Sequence, residues 1–261
     1  MEDGKITPEH MEQLRAAKDA LENAGLAIRI TDLIGDSVEK GVGKLPEAWQ
    51  QNIVGISRTA LEKATDAAIW TINSATALPS KDGLHKIAVL GTGAVGGAFG
   101  LPALAIELPI STTIMLRSIA DIARSEGEDL SSPETKLACV EVFALGGRTS
   151  SDDAAESGYY LARAALGKAV TDAAKYLAKG GTKAATPVMV KFITQVAARF
   201  QIQVTEKAAA QALPIVGAAG GALINMLFMD HFQNMARGHF KVRKLERTYS
   251  PELIEAEYYD L

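Results

Sequence analysis

The 261-residue chain carries 27 Lys and Arg against 31 Asp and Glu, and its net charge of −4 provides no global field for nucleic acid. Hydrophobic residues make up 48% but aromatics only 6%; alanine and glycine supply much of the apolar total, so the core must work by close helix approach rather than bulk. The single cysteine, Cys139, excludes an internal disulfide and a Cys-rich zinc site and fits a reducing compartment.

The N-terminus, MEDGKITPEHMEQL, is polar and acidic, unlike a cleavable signal, so a cytoplasmic location is expected. Thr7-Pro8-Glu9 reads as a helix start, with threonine as cap and proline in the first turn, and the helix should run through Leu14 and Leu21 to Gly25. Leu26, Ile30, Leu33, Ile34 and Val38 then recur at helical spacing, up to a break at Gly41-Val42-Gly43. The charges of this second helix are mixed rather than basic, which favours core packing over a membrane surface. Pro46 opens another helix through Trp49, Ile53, Ile56, Leu61 and Trp70. Turn residues from Pro79 to Gly83 close an N-terminal helical section, 1–83, with no linker long enough to detach it from a core spanning 84–261.

Two uncharged stretches follow. Ile87–Ile106 has 20 residues between Lys86 and Glu107, and Ala208–Met229 has 22 between Lys207 and Asp230. Both reach bilayer-spanning length. Both also contain proline and several glycines with few large apolar side chains, so helices buried in a protein core are expected, with membrane insertion or shallow embedding as the other reading. Between them, Ser131, Ser132, Pro133 and Glu134 give overlapping helix starts, one a capping box. A further start lies near Ser150–Asp153, and an alanine-rich helix carrying Tyr159, Leu161, Leu166 and Val170 ends at Gly180-Gly181. Thr186-Pro187 begins the next helix. Gln201-Ile202-Gln203-Val204 alternates like a short extended piece before a new start at Thr205. Ser250-Pro251-Glu252 opens a last short helix. Strands never alternate with helices over any length, so a parallel sheet has no material.

The segment KIAVLGTGAVGG places Gly91, Gly93 and Gly96 at GxGxxG spacing after a strand-like run, and residues 86–118 resemble the opening of ketopantoate reductase-type NADP enzymes. A dinucleotide site would use those glycines for close backbone approach to a pyrophosphate. Several features oppose it. The motif follows a helical section, Pro102 interrupts the crossover helix, and no carboxylate stands about 20 residues beyond the last glycine. The same glycines also recur: Gly93-Ala94-Val95-Gly96-Gly97-Ala98 returns as Gly217-Ala218-Ala219-Gly220-Gly221-Ala222, each followed by a large apolar residue. Only helix packing covers both copies. Gly96/Gly100 and Gly217/Gly221 are small-xxx-small pairs that let two backbones meet, so the expected fold is an all-α multi-helix bundle around two Gly-rich apolar helices.

Five blocks resemble the EcsC family: GLPALAIELPISTTIMLRSIADIARSEGEDL, CVEVFALGG, SDDAAESGYYLARAAL, VAARFQIQVTEKAAAQALPIVGAAGGALINMLFMDHF and MARGHFKVRKLER. The resemblance spans about Leu84 to Tyr249. It implies a bacterial protein, in some members encoded beside an ABC transporter and in some carrying a protease-like label; it implies no reaction and transfers no catalytic residue.

Among polar residues, Glu107, Glu141 and Arg199 stand in apolar surroundings and need partners or shifted pKa values if buried. Arg117, Asp121 and Arg124 share one helix face as a salt-bridge ladder. Glu107, Arg117, Asp121, Glu141 and Arg199 are the candidates for a polar site. Tyr160 and Arg163 read either as a headgroup grip or as a staple between helices. His231 and His239 are too far apart along one helix to share a metal, and neither HExxH nor G-x-S-x-G occurs. The basic run Arg237, Lys241, Arg243, Lys244 and Arg247 directly follows an uncharged segment, a placement that anionic headgroups favour. The expected function is a cofactor-free, non-enzymatic accessory protein on the cytoplasmic side, bound reversibly to membrane lipid or a membrane protein complex. The alternatives are a hydrolase of unrecognised type and an NADP-binding oxidoreductase.

Overall fold

Proline-led starts set the helix boundaries, and the caps behind them are visible. Thr7 Oγ1 accepts from the His10 amide at 3.3 Å, Ser132 Oγ from Thr135 at 3.3 Å and Ser250 Oγ from Leu253 at 3.2 Å, each with proline next in sequence. The computed structural model describes residues 6–22, 25–34, 38–71, 101–146, 158–212 and 217–261. Among these the chain is all-α, with ten α-helices and no strand.

The helices are α1 (Pro8–Glu22), α2 (Leu26–Ile34), α3 (Val38–Lys44), α4 (Glu47–Thr71), α5 (Leu101–Ser125), α6 (Pro133–Glu141), α7 (Gly158–Ala178), α8 (Pro187–Gln211), α9 (Gly217–Thr248) and α10 (Pro251–Asp260); the 3-10 turn Val142–Ala144 extends α6. The long helices α8 and α9 carry the core. α3, α4 and α7 pack on α8, whereas α1, α5 and α10 pack on α9, and α4 also lies along α5. At the centre Phe143 meets Phe200 and Phe232 with ring centroids 5.1 and 5.0 Å apart, and Phe232 meets Phe228 at 5.1 Å. Each such pair adds about 0.5–1.5 kcal/mol beyond its burial. Few aromatics are present, and they are concentrated where they touch one another.

Elsewhere the packing uses bare backbone. A Cβ on Gly41 would overlap the Ala209 carbonyl, so α3 lies directly on α8. A Cβ on Gly238 would come within 3.0 Å of the Ala17 oxygen and 2.6 Å of Leu21 Cγ, so α9 and α1 touch in the same way. These contacts follow the small-side-chain principle read from the composition, at glycines outside the repeated motif. Gly91, Gly93, Gly96, Gly97 and Gly100 lie outside the described residues, as does Ile87–Leu90. Gly217 opens α9, Gly220 is half-buried and Gly221 is buried.

Three expectations change. Gly41 and Gly43 do not break a helix but lie inside α3, because Gly41 is needed against Ala209. Gln201–Val204 is helical within an uninterrupted α8: Gln203 and Val204 are buried, and tertiary packing overrides the alternating pattern. Ala208–Met229 is not one helix; α8 ends at Gln211 and α9 starts at Gly217, with Pro214 and its missing N–H in the interval. No described helix is long and apolar enough to cross a membrane.

Candidate functional site

The end of α5 is built to carry two carboxylates to α9. Gly127 has φ +83°, its amide bonds to Arg124 O at 3.0 Å and the Glu128 amide to Ala123 O at 3.0 Å, a Schellman closure that only glycine makes without strain. The chain thereby turns Glu126 and Glu128 onto the basic stretch of α9. Lys241 Nζ reaches Glu126 at 2.9 Å and Lys244 Nζ at 3.4 Å. Arg243 grips Glu128 with two bonds of 2.9 and 3.2 Å, Arg247 Nη1 bonds the same carboxylate, and Thr135 Oγ1 donates to it at 2.9 Å. Burial pushes the Glu128 carboxyl up, but hydrogen bonds and charge from Arg243, with Thr135 and Arg247, outweigh it and hold the group below its usual range. Two carboxylates thus meet four cations. Lys244 and Arg247 keep 46% and 43% of their side chains exposed, while Arg237, further along the same face, donates to Asn234 at 2.9 Å.

Tyr160 and Arg163 belong to a second cluster, inside the bundle. Arg163 forms a fork on Glu246, at 2.6 and 3.1 Å, and its guanidinium lies over the rings of Tyr159 and Tyr160 at 5.4 and 5.5 Å. It also donates to the Tyr159 hydroxyl at 3.2 Å, and that hydroxyl shares a hydrogen bond of 3.0 Å with His239 Nδ1. These contacts tie α7 to α9. Burial, with the charges of Arg163 and Arg243, holds buried His239 well below its ordinary pKa, in the neutral form. Burial pushes Glu141 up to about 7; Arg163 and Arg243 offset only part of it. Cys139 is buried and its thiol is pushed far up by desolvation, so it packs as a small apolar group.

The other polar candidates are held by separate partners. Glu107 accepts from Lys207 Nζ at 2.6 Å and from Asn225 Nδ2 at 2.8 Å, which joins α5, α8 and α9 in the core. Burial raises the Glu107 pKa, but the Lys207 charge and bonds from Lys207, Asn225 and Ser111 carry it below the ordinary value. Lys207 Nζ also lies 4.8 Å from the Phe228 ring centroid. Asp121 pairs with Arg124 at 3.0 Å, Arg117 is exposed, and Arg199 Nε donates to the Ala144 carbonyl at 3.0 Å. Among the described residues no three His, Cys, Asp or Glu side chains are grouped to hold a metal.

Lys207, Asn225, Glu128 and Glu246 escaped the sequence reading as partners. One signal for the first was present: Glu107 closes one uncharged stretch and Lys207 opens the other, and these two flanking charges find each other. The chain matches the EcsC protein family over residues 7–245. No curated protein and no solved structure matches it.

Proposed function

We propose, on the premise that this chain belongs to the EcsC protein family, that it is a non-enzymatic accessory protein that docks reversibly on an anionic membrane surface through the exposed face of α9. The observation that carries this reading is the cation excess beside the α5 turn: Lys241, Arg243, Lys244 and Arg247 against Glu126 and Glu128. Arg237, Lys241, Lys244 and Arg247 recur every three to four residues and span roughly 15 Å of helix, a strip that a flat anionic surface can meet at once. Each cation near such a surface contributes about 1 kcal/mol, less where an internal carboxylate already holds it. Apolar side chains standing exposed on α5, Ile106 at 73% and Ile110 at 49%, offer hydrophobic contact to the same class of partner.

Cosedimentation with phosphatidylglycerol-rich vesicles tests the proposal. Binding is expected at low salt, falling as ionic strength rises and falling again in a Lys244→Glu, Arg247→Glu double variant whose circular dichroism is unchanged. Pelleting that is equal on neutral phosphatidylcholine vesicles, or absent on both, overturns it.

A further inference from the structure

The corner between α7 and α8 carries a charged surface that none of the foregoing uses. From Gly158 to Thr205 the sequence holds seven Lys and Arg against a single acid, Asp172, in a chain whose net charge is −4. Arg163 and Arg199 of this set are engaged inside the bundle, on Glu246 and on the Ala144 carbonyl. Lys168, Lys175, Lys179, Lys183 and Lys191 are all exposed, and among the described residues none of their ammonium groups is held by an ion pair or a hydrogen bond. Lys168, Lys175 and Lys179 fall seven and four positions apart, so they share one face of α7 over roughly 17 Å. Local chemistry holds Lys183 beside them. Gly180 closes α7 at φ +83°, with its amide on Leu177 O at 2.9 Å and that of Gly181 on Tyr176 O at 3.1 Å. The Tyr176 hydroxyl then accepts from the Lys183 amide at 3.3 Å, and Asp66 of α4 accepts from the Ala184 amide at 3.1 Å.

We infer that this lysine corner is a second contact surface for an anionic bilayer, separate from α9 and engaged by headgroup charge alone. The two basic surfaces differ in what already holds them. On α9 the cations are drawn onto Glu126 and Glu128, whereas the corner lysines keep their full charge for an outside partner. Their neighbours are low. Gly167, Thr171, Ala178 and Gly180 are exposed with short side chains or none, so the lysine stems stand above the helix surface and a flat partner can reach several ammonium groups at once. No large apolar side chain stands exposed between Lys168 and Lys191, and this decides the class of partner. Protein interfaces are built around aromatic, Met and Arg anchors and are depleted in Lys. A charged bilayer needs no anchor and attracts each lysine that comes near it. Of the nearby carboxylates, Asp172 is half-buried and Asp66 is engaged on the turn. The screening length is about 8 Å at physiological salt, so negative charge on remote parts of the chain does not cancel the field of the corner.

Cosedimentation of the full chain with phosphatidylglycerol-rich vesicles reads the two surfaces separately. A Lys175→Gln, Lys179→Gln, Lys183→Gln triple variant should bind about tenfold or more weakly while circular dichroism and Tm hold, because all three side chains are exposed. In the Lys244→Glu, Arg247→Glu background, salt-sensitive pelleting should persist, and adding the three glutamines should remove it. A dye on Ala178→Cys, in a chain whose own Cys139 is buried, should be quenched by headgroup-labelled lipid. Undiminished pelleting of the folded triple variant, no quenching at position 178, or tighter lysine-dependent binding of duplex DNA or polyglutamate than of vesicles at equal salt overturns the inference. If the triple variant loses pelleting and the α9 variant does not, docking through α9 fails and the inference stands. If only the α9 variant loses it, the inference fails and docking through α9 stands.

Discussion

Lys207 has no exposed surface, and the structure tolerates its charge because Glu107 stands 2.6 Å away with Asn225 satisfying the second carboxylate oxygen. Two ions taken out of water at this depth cost several kcal/mol each before their attraction is counted. The pair therefore adds little net stability, yet neither member can be removed alone. Lys207→Met should destabilise by about 3–5 kcal/mol in urea unfolding by stranding the Glu107 carboxylate, and Glu107→Leu should do the same to the ammonium. The Glu107→Leu, Lys207→Met double variant should recover most of the loss, giving a large coupling in the cycle. Additive losses would mean that the two charges are solvated separately. The sequence marks both residues as charges at the ends of uncharged stretches. Their pairing was not legible, because they stand 100 positions apart and only the packing of α5 against α8 and α9 brings them together.

At the scale of the element, legibility followed how local the deciding force is. Starts at Thr7, Ser132 and Ser250 were readable because a hydroxyl and the amide it caps lie three residues apart. Thr186 also precedes a proline-led helix, but its hydroxyl donates to Lys183 O at 3.1 Å instead of capping. Ser131, the first residue of the expected capping box, likewise bonds the Asp129 carboxylate at 2.7 Å and leaves the cap to Ser132. The continuity of α3 through Gly41 and of α8 through Gln203 depends on distant partners, which no window of sequence contains. Glycines inside helices show the distinction directly. Gly167, in α7, has nothing within 4 Å of an added Cβ, whereas Gly41 faces the Ala209 backbone. Gly167→Ala should therefore stabilise by about 0.5–1 kcal/mol through helix propensity alone. Gly41→Ala should instead destabilise by about 1–3 kcal/mol as α3 is forced off α8. Thermal or urea unfolding of the two variants should move in opposite directions; a stabilised Gly41→Ala would show that α3 does not rest on α8.

Across the whole molecule the buried and half-buried carboxylates pull in opposite directions with pH. Glu107 and Glu128 are held below their ordinary value of 4.5, so they contribute stability above that value and lose it as pH falls through their folded-state pKa. Glu141 and Glu206 behave in reverse. Burial raises both to about 7, the Glu206 shift being only partly offset by a backbone bond from Ala27. In the unfolded chain these two ionise near 4.5, so the folded state is favoured below that pH and loses up to about 3 kcal/mol for each group as pH climbs through 7. Urea midpoints should consequently peak in mildly acid solution, near pH 5, and decline towards pH 8, on top of an acid-side fall. Glu141→Gln keeps the shape of the protonated acid without its charge, so it should flatten the decline between pH 5 and 8 while leaving the acid limb untouched. Glu128→Gln should do the converse, weakening the protein near neutrality and removing part of the acid-side dependence. A profile that rises steadily from pH 5 to 8, or one that Glu141→Gln leaves unchanged, would mean that the Glu141 carboxylate is ionised throughout and finds solvent or a cation that the packed bundle does not offer it.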